Sequence, residues 1–531
     1  MKTLRTIYTV AFALLISSTS FGQNMYDALR FSTMDYEGTA RSMAMGNAFT
    51  ALGGDLGGIT INPAASGVYR YNEFTFTPSL TNTVEKSTYA GTLEKSTRTR
   101  FGLSNVGGVS TFDTGRKTGL VNFNLGVVAN QTANFTSRSS VHGSQSATSK
   151  LASMAAAMSQ YGVDSGTLTM TSEDPNAPFY YSKALWEEIL AWNTSLVENI
   201  YDQYTYVGAT ENFIEDNIYA VGGPLDQTFY QETTGYKQDI TLNLGANISH
   251  KFYFGANFTI QSLWYQKYQM LSEAAQNPDD FETDFEYFRH QFNQTISGVG
   301  FNIKAGMIYR PVAGLRLGAT ISTPTWSKYV DKNYEKMESE VYDERFQAES
   351  PVNSYQYRIT SPLRWSLGAA YTFGSRALIS VDYESTNYGG IRFKTDRSMY
   401  IDDIEYFNNE NQAIKDYFRR VNNIRVGGEF KPIPQLSLRA GYNYLDTCEE
   451  GYDGSLHYVS AGVGFITKNN FFMDLAYRQQ CHFTKEEYTL YDTGYFPSAD
   501  EALVSTSYLN SRLLLTIGWR FQEMIPPEVP H

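Results

Sequence analysis

From Tyr236 to Ser249 the chain alternates without a break, with Tyr236, Gln238, Ile240, Leu242, Leu244, Ala246 and Ile248 on one side and Lys237, Asp239, Thr241, Asn243, Gly245, Asn247 and Ser249 on the other. A period of two puts the two sets on opposite faces of a strand. The next stretch repeats the pattern, with Phe252, Phe254, Ala256, Phe258, Ile260 and Trp264 set against Tyr253, Gly255, Asn257, Thr259 and Gln261. Similar patterns lie at Val299 to Tyr309, Leu315 to Ile321, Leu363 to Phe373, Ala377 to Tyr383, Ile424 to Phe430, Leu436 to Tyr442, His457 to Phe465, Phe471 to Tyr477 and Leu513 to Phe521. Weaker ones fall near Phe74 to Leu80, Phe101 to Val109 and Val121 to Val127, for a total of fourteen predicted strands.

The lengths of the connections carry independent information. Short links at Ser249 to Lys251, Pro311 to Gly314, Gly374 to Arg376, Pro432 to Gln435 and Lys468 to Asn470 each join an even-numbered strand to the next, and long links separate the others. The longest spans about Thr132 to Thr234. Tight turns at one end and long loops at the other are the mark of a transmembrane β-barrel with both termini in the periplasm. A soluble sandwich has no reason to obey that parity, and its outward faces would be polar. The fold class expected is all-β: a fourteen-stranded antiparallel transmembrane barrel. The polar faces hold Lys304, Arg316, Asp382, Glu384, Arg425, Glu429, Arg439, Asp474, Arg478 and Arg520, mixed in sign, which reads as ion pairing across the lumen wall rather than as a selectivity ring.

Composition then removes alternatives. The 531 residues contain no linker or charge block that would divide them, so one large unit is expected. No apolar run approaches the ~20 residues of a membrane helix. At the N-terminus Lys2 and Arg5 precede the apolar run Ile7 to Ile16 and the small residues Ser17 to Gly22, the form of a secretory signal peptide cut before Gln23. The division expected is signal peptide 1–22, an N-terminal plug 23–69, barrel 70–521 and a periplasmic tail 522–531, with Sec-type export to the outer membrane and contact there with lipid and lipopolysaccharide. A net charge of −13 argues against nucleic acid as a partner. Paired metal-ligand histidines, a Gly-x-Ser-x-Gly elbow and a Walker loop are all missing, so neither an enzyme nor a cofactor or metal is expected. Gly53 to Gly58 lacks the strand and the lysine of a phosphate loop.

The segment before the first strand, Asp27 to Tyr69, is Gly-rich and irregular, and includes Gly38-Thr39-Ala40-Arg41-Ser42-Met43-Ala44-Met45-Gly46 and Ile61-Asn62-Pro63-Ala64-Ala65. Small residues at that density suit short helical turns packed inside a lumen. Here the chain resembles the FadL/OmpP1/TodX family of outer-membrane transporters of hydrophobic molecules, through Gly38, Arg41, Gly46 and the Asn62-Pro63-Ala64 triplet placed just before the barrel. The resemblance implies fourteen strands, a hatch inside them, a monomer, and passive uptake: outer loops capture an apolar ligand such as a long-chain fatty acid or an aromatic, and movement of the hatch N-terminus releases it sideways. It also implies ligand contacts from Gln23, Met25 and Phe31 and a kink in the third strand, where Gly126 lies, with Gly107 and Gly108 on the neighbouring strand, although these glycines equally suit making room for hatch or lumen side chains.

The long insertion has helix-period apolar residues, Leu185, Ile189 and Trp192 among them, which could receive the ligand or pack helices together. Asp279, Asp280, Glu282, Asp284 and Glu286 alternate with Phe281, Phe285 and Phe288 in what reads as a solvated acidic loop. His142, His290 and His482 fall in predicted outer loops, as do Cys448 and Cys481, a possible disulfide. Besides the transporter, a protein-docking barrel of a secretion system and a general aqueous porin stand as alternatives.

Overall fold

The computed structural model describes residues 23–215, 218–395, 401–452, 454–494 and 502–523. The expected signal peptide and the tail beyond residue 523 lie outside the described residues. Fourteen strands form the wall: β1 (Tyr71–Tyr89), β2 (Thr92–Asp113), β3 (Leu120–Asn134), β4 (Leu225–Ile248), β5 (Phe252–Ala275), β6 (Tyr287–Tyr309), β7 (Leu315–Ser322), β8 (Arg364–Phe373), β9 (Ala377–Asn387), β10 (Arg420–Ile433), β11 (Leu436–Leu445), β12 (Leu456–Ile466), β13 (Phe471–Gln480) and β14 (Leu503–Glu523). Each pairs antiparallel with the next, and β14 returns to β1 from Tyr71↔Glu523 to Thr88↔Ser505. Closure leaves no sheet edge, which a lipid-facing backbone could not tolerate. Every alternating stretch of the sequence falls on one of these strands.

Alternation does what the pattern implied. On β4 and β5 the apolar set faces out, with Leu242 49% and Ile260 57% exposed, whereas Thr241 and Asn243 are buried against the lumen. Aromatic girdles bound this band. Phe252 stacks on Tyr309 and Trp519 on Phe521 at one end, and Tyr236 meets Trp264 and Trp365 meets Tyr383 at the other. The β4–β5 turn places Ser249 and His250 at φ 54° and 57°, the left-handed twist that tight hairpins need.

The wall is much taller on one side. β4 and β5 run 24 residues and β6 runs 23, whereas β8, β11 and β13 have 10 each, close to the ~9–11 that cross a bilayer. Strands Ser137–Ser146, Trp326–Val341 and Asn353–Thr360 continue the rise, the last two separated from β7 and β8 by breaks at Pro324 and Pro362. These segments were expected to be loops. Above the membrane the outward face meets water, so residues such as Asp226, Thr228 and Glu232 erase the alternation that marks a strand. On the raised rim sits a cap built from the insertion: α-helices Lys150–Tyr161, Ala177–Tyr181 and Trp186–Asn193 with two short hairpins. Its core joins Leu151, Met154, Trp186, Ile189 and Leu190 to Tyr89, Leu271, Phe288, Met337 and Val504 of the wall.

Inside the barrel lies the hatch: α1 (Met25–Ser32), α2 (Ala40–Ala44), α3 (Leu56–Ile61) and a 3-10 turn at Pro63–Val68. Each begins on a side-chain cap, from Asn24, Thr39, Asp55 and Asn62 respectively, so these short turns have their first amides satisfied without the cooperativity of a long helix. The wall makes room with glycine rows on its inner face. Gly245, Gly255 and Gly306 pair across β4, β5 and β6, Gly318 with Gly368 across β7 and β8, and Gly427 with Gly441 across β10 and β11. A Cβ on Gly306 would lie 1.9 Å from Asn62 Oδ1, and one on Gly255 2.3 Å from the Pro63 carbonyl. Only a bare backbone lets the hatch approach this closely.

Candidate functional site

The inner face of α1 enters an aromatic chamber. Met25, Ala28 and Phe31 pack with Leu263 and Tyr265 of β5, Ile296 of β6, Tyr329, Tyr357 and Ile359 of the raised strands, and Phe393, Phe407 and Phe418 beside helix α4 (Ile401–Tyr417). The Phe31 ring lies 5.3 Å from Tyr329 and 5.7 Å from Tyr265. Gln23 Nε2 donates to Asp331 at 3.2 Å, Tyr406 donates to the Gln23 carbonyl at 3.3 Å, and the Met25 amide donates to Glu410 at 2.5 Å. Burial pushes the Asp331 carboxyl up to about 6, against hydrogen bonds from Gln294 and Gln23. The structure therefore gathers Gln23, Met25 and Phe31 in one chamber.

Below α1 the chamber floor turns polar. Lys237 Nζ donates to the carbonyls of Phe31 and Thr33, at the carboxyl end of the helix where the dipole favours a cation. Lys237, Lys304, Arg364, Asp239, Asn257 and Gln261 border a small cavity. The Ser32 hydroxyl, buried on its edge, has no hydrogen-bond partner among the described residues.

The wall itself is incomplete at one place. The β2–β3 ladder runs from Asp113↔Asn122 to Asn105↔Asn130 and stops, although both strands continue upward. Both also carry an irregularity at this height: the β1–β2 register slips at Thr77/Pro78, and the β3–β4 register slips between Gln131 and Ala133. The hatch fills the interval. The Asp35 amide donates to the Thr132 carbonyl at 2.8 Å and the Glu37 amide to the Gln131 carbonyl at 3.2 Å, as a strand would. Ser104 Oγ and Gln131 Nε2 donate to the Glu37 carboxylate at 2.6 and 2.9 Å. From β13 Arg478 grips both oxygens of Asp35 at 2.8 and 2.6 Å, and from β14 Arg512 reaches Asp35 and Glu37 at 2.9 and 2.8 Å. Higher up, Arg100 closes over the interval by donating to Thr136 and Thr234.

Gly107, Gly108 and Gly126 lie below this interval, inside the continuous ladder, paired with Val128, Val127 and Val109. The residues at the interval itself, Ser104, Gln131, Asp35 and Glu37, were not singled out in the sequence; Pro78 within a strand was the available sign of an irregularity. The hatch residues hold the plug. Arg41 Nε donates to Glu429 at 3.1 Å and its Nη1 to the Gly54 carbonyl at 3.0 Å. Asn62 caps Ala64 and donates to the Thr50 carbonyl, Pro63 opens the 3-10 turn, and Ala64 packs on Tyr253 and Ile308. Gly38 and Gly46 take φ of 64° and 61°, which favour glycine.

Other candidates lie elsewhere. Ile189 is buried in the cap core with Trp192 packed against it, Trp192 Nε1 donates to Thr169, and Leu185 is half-buried at the start of the Trp186–Asn193 helix. Phe281, Phe285 and Phe288 of the acidic loop belong to the same core and anchor the cap, while Asp279, Asp280, Glu282, Asp284 and Glu286 between them are exposed to solvent. His290 is on β6, not in a loop, and its Nε2 lies 2.8 Å from Glu335; His142 is likewise on a strand. Cys448 and Cys481, the possible disulfide, are both free thiols here: Cys448 packs beside the cluster around Phe418, whereas Cys481 is exposed at the end of β13.

Among solved structures, the Pseudomonas putida toluene transporter TodX is 14% identical over 92% of this chain and all of its own, with a TM-score of 0.50. A Pseudomonas aeruginosa FadL homologue is 13% identical over the same shares, with a TM-score of 0.52. The chain has the FadL-type barrel fold. Its closed wall, inner hatch and outward apolar belt fit an outer-membrane protein of that type. No family model and no curated protein matches the sequence.

Proposed function

We propose that this FadL-type barrel takes up hydrophobic small molecules across the outer membrane, holding them in the aromatic chamber and releasing them through the wall between β2 and β3. The observation that carries the reading is that a hatch segment, not a neighbouring strand, completes the wall at Gln131 and Thr132. A wall made continuous by a separate element opens when that element withdraws, without breaking any strand pair. An apolar ligand in the chamber would occupy the volume held by Met25 and Phe31. It would thereby displace α1, which is joined to Asp35 by only two residues. The cationic floor of Lys237, Lys304 and Arg364 favours an apolar body with an anionic end, such as a long-chain carboxylate, over a plain hydrocarbon. An open aqueous pore has no support, because the hatch fills the lumen from Met25 to Val68.

The test is a lock. Ser104→Cys with Glu37→Cys replaces a 2.6 Å contact and, when oxidised, ties the latch to the rim. Uptake of a labelled long-chain carboxylate into cells should stop under oxidation and return on reduction. Unchanged uptake in the oxidised double variant would refute release at this place. Mass spectrometry of apolar compounds retained by the purified protein tests the chamber separately.

A further inference from the structure

We propose that His457, Cys481 and His482 form a binding site for a borderline transition-metal ion, Zn2+ in particular, on the outward face of the extracellular rim. The site is independent of the chamber and of the transport reading.

Strand pairing sets the three side chains together. β12 and β13 pair in the register Tyr458↔Gln480, and the Cys481 amide donates to the His457 carbonyl at 2.8 Å, so His457 and Cys481 stand directly opposite each other. Opposed residues share a face, their Cβ atoms about 5 Å apart. That face is the outer one, because His457 has the parity of the exposed Val459 and Cys481 that of the exposed Tyr477. His482 follows, and its ring centre is 5.2 Å from that of His457 at an interplanar angle of 56°. Two imidazoles at this separation reach a common ion with small rotations.

The surroundings prepare His457 as a ligand. Tyr444 meets its ring edge-on at 5.2 Å and fixes its plane. The Tyr442 hydroxyl is 2.6 Å from Nδ1. With Nδ1–H donating to that oxygen, Nε2 presents its lone pair outward, the arrangement in which a second partner orients a metal-bound histidine. Ser455 Oγ, 3.5 Å from Nε2, is at the limit of a hydrogen bond and is readily displaced. Cys481 and His482 are exposed, so an ion reaches them from solvent. As the side chains stand, no group of three His, Cys, Asp or Glu among the described residues is placed to hold a metal ion. Closing the site takes rotations of the exposed Cys481 and His482 side chains toward the fixed His457 ring.

The donor set selects the ion. One thiolate and two imidazoles suit zinc and leave its fourth tetrahedral position to water or to a ligand from outside. Calcium and magnesium, which require oxygen donors, are excluded by the same chemistry. Binding converts the Cys481 thiol to a thiolate and releases its proton.

The full chain, purified in detergent, is titrated with Co2+ as a coloured substitute for Zn2+. One ion per chain is expected, with a thiolate-to-metal charge-transfer band that added Zn2+ abolishes. Cys481→Ser should lose the band, Cys448→Ser should keep it, and Tyr442→Phe should weaken binding by ~10-fold through loss of the orienting hydrogen bond. Retained heat-modifiable mobility shows that each variant barrel is folded. Absence of a thiolate band in the parent overturns the site, as does a band that survives Cys481→Ser. Cobalt bound without thiolate character also overturns it, because that would be a two-histidine surface contact only.

Discussion

The two halves of the hatch are held in opposite ways. From Ala40 to Val68 wall side chains such as Glu429, Asp382 and Asn443 bond the plug, but it also lies on bare backbone: the glycine rows of the wall meet Met45, Thr50, Asn62 and Pro63 at distances that leave no space for a methyl group. From Gln23 to Glu37 no glycine row meets it: it is held by hydrogen bonds and ion pairs, from Arg478 and Arg512 on the carboxylates, Lys237 on the end of α1, Asp331 and Glu410 near its start, and the amides of Asp35 and Glu37 on the Thr132 and Gln131 carbonyls. Backbone contact of the first kind has no alternative arrangement. Ion pairs and hydrogen bonds of the second kind can be exchanged for water or ligand. A plug with one fixed and one exchangeable half moves from its N-terminal end, and that end is the one that completes the wall between β2 and β3.

The largest effect should come from filling a glycine row. Gly427→Ala would place a Cβ 2.2 Å from the Met45 carbonyl oxygen, whereas the adjacent Gly428 has nothing nearer than 3.7 Å. Overpacking at the first should cost about 3 kcal/mol, and the second should be close to neutral. The check is the temperature at which each purified barrel loses its compact mobility. Equal temperatures for the two variants would show that the fixed half of the hatch can shift.

A smaller and more local effect is expected at the latch. Asp35→Asn leaves two buried guanidiniums short of charge, and because Asp35 itself is a quarter exposed the loss should stay below the ~3 kcal/mol of a fully buried pair broken one-sidedly. The loss should fall on residues 33–37 alone, seen as faster amide exchange at Asp35 and Glu37, with Ala40 to Val68 as protected as before. If exchange rises throughout the hatch, the two halves are one cooperative unit.

How much of this could be read beforehand follows from the same contrast. The membrane part of the wall was legible because lipid outside and polar filling inside force alternation on every strand. The glycines were visible too, at Gly245 and Gly255 among the polar-face positions, and Asn62-Pro63-Ala64 stood out in the hatch. The raised wall was lost where water replaces lipid on the outer face. The interval between β2 and β3 was not legible, because it depends on Asp35 and Glu37 meeting Gln131 and Arg512 across roughly a hundred and several hundred residues of chain, and no local pattern carries that pairing. The cap was read as helical, but Ile189 proved to be core, since period alone does not say which side of a stripe is filled.

The smallest effect tests the exchangeable half by pH. Asp331 faces Gln23 and Gln294 with Asp27 nearby, and burial raises its carboxyl from 3.8 to about 6. A group with a raised carboxyl value binds a proton more readily in the docked state than when released. The docked state is therefore favoured below 3.8, loses that advantage as pH rises from 3.8 through about 6, and is weakest above it. The shift corresponds to at most ~3 kcal/mol, reduced by any water that reaches the group. Proteolysis of the N-terminal segment by a protease active across this range should be slower at pH 5 than at pH 7.5, by severalfold. Asp331→Asn, uncharged throughout, should remove the difference and leave the segment as protected at high pH as the parent is at low pH. A pH dependence that persists in the variant would assign the effect to Glu410, whose carboxyl is also raised by burial and which accepts the Met25 amide.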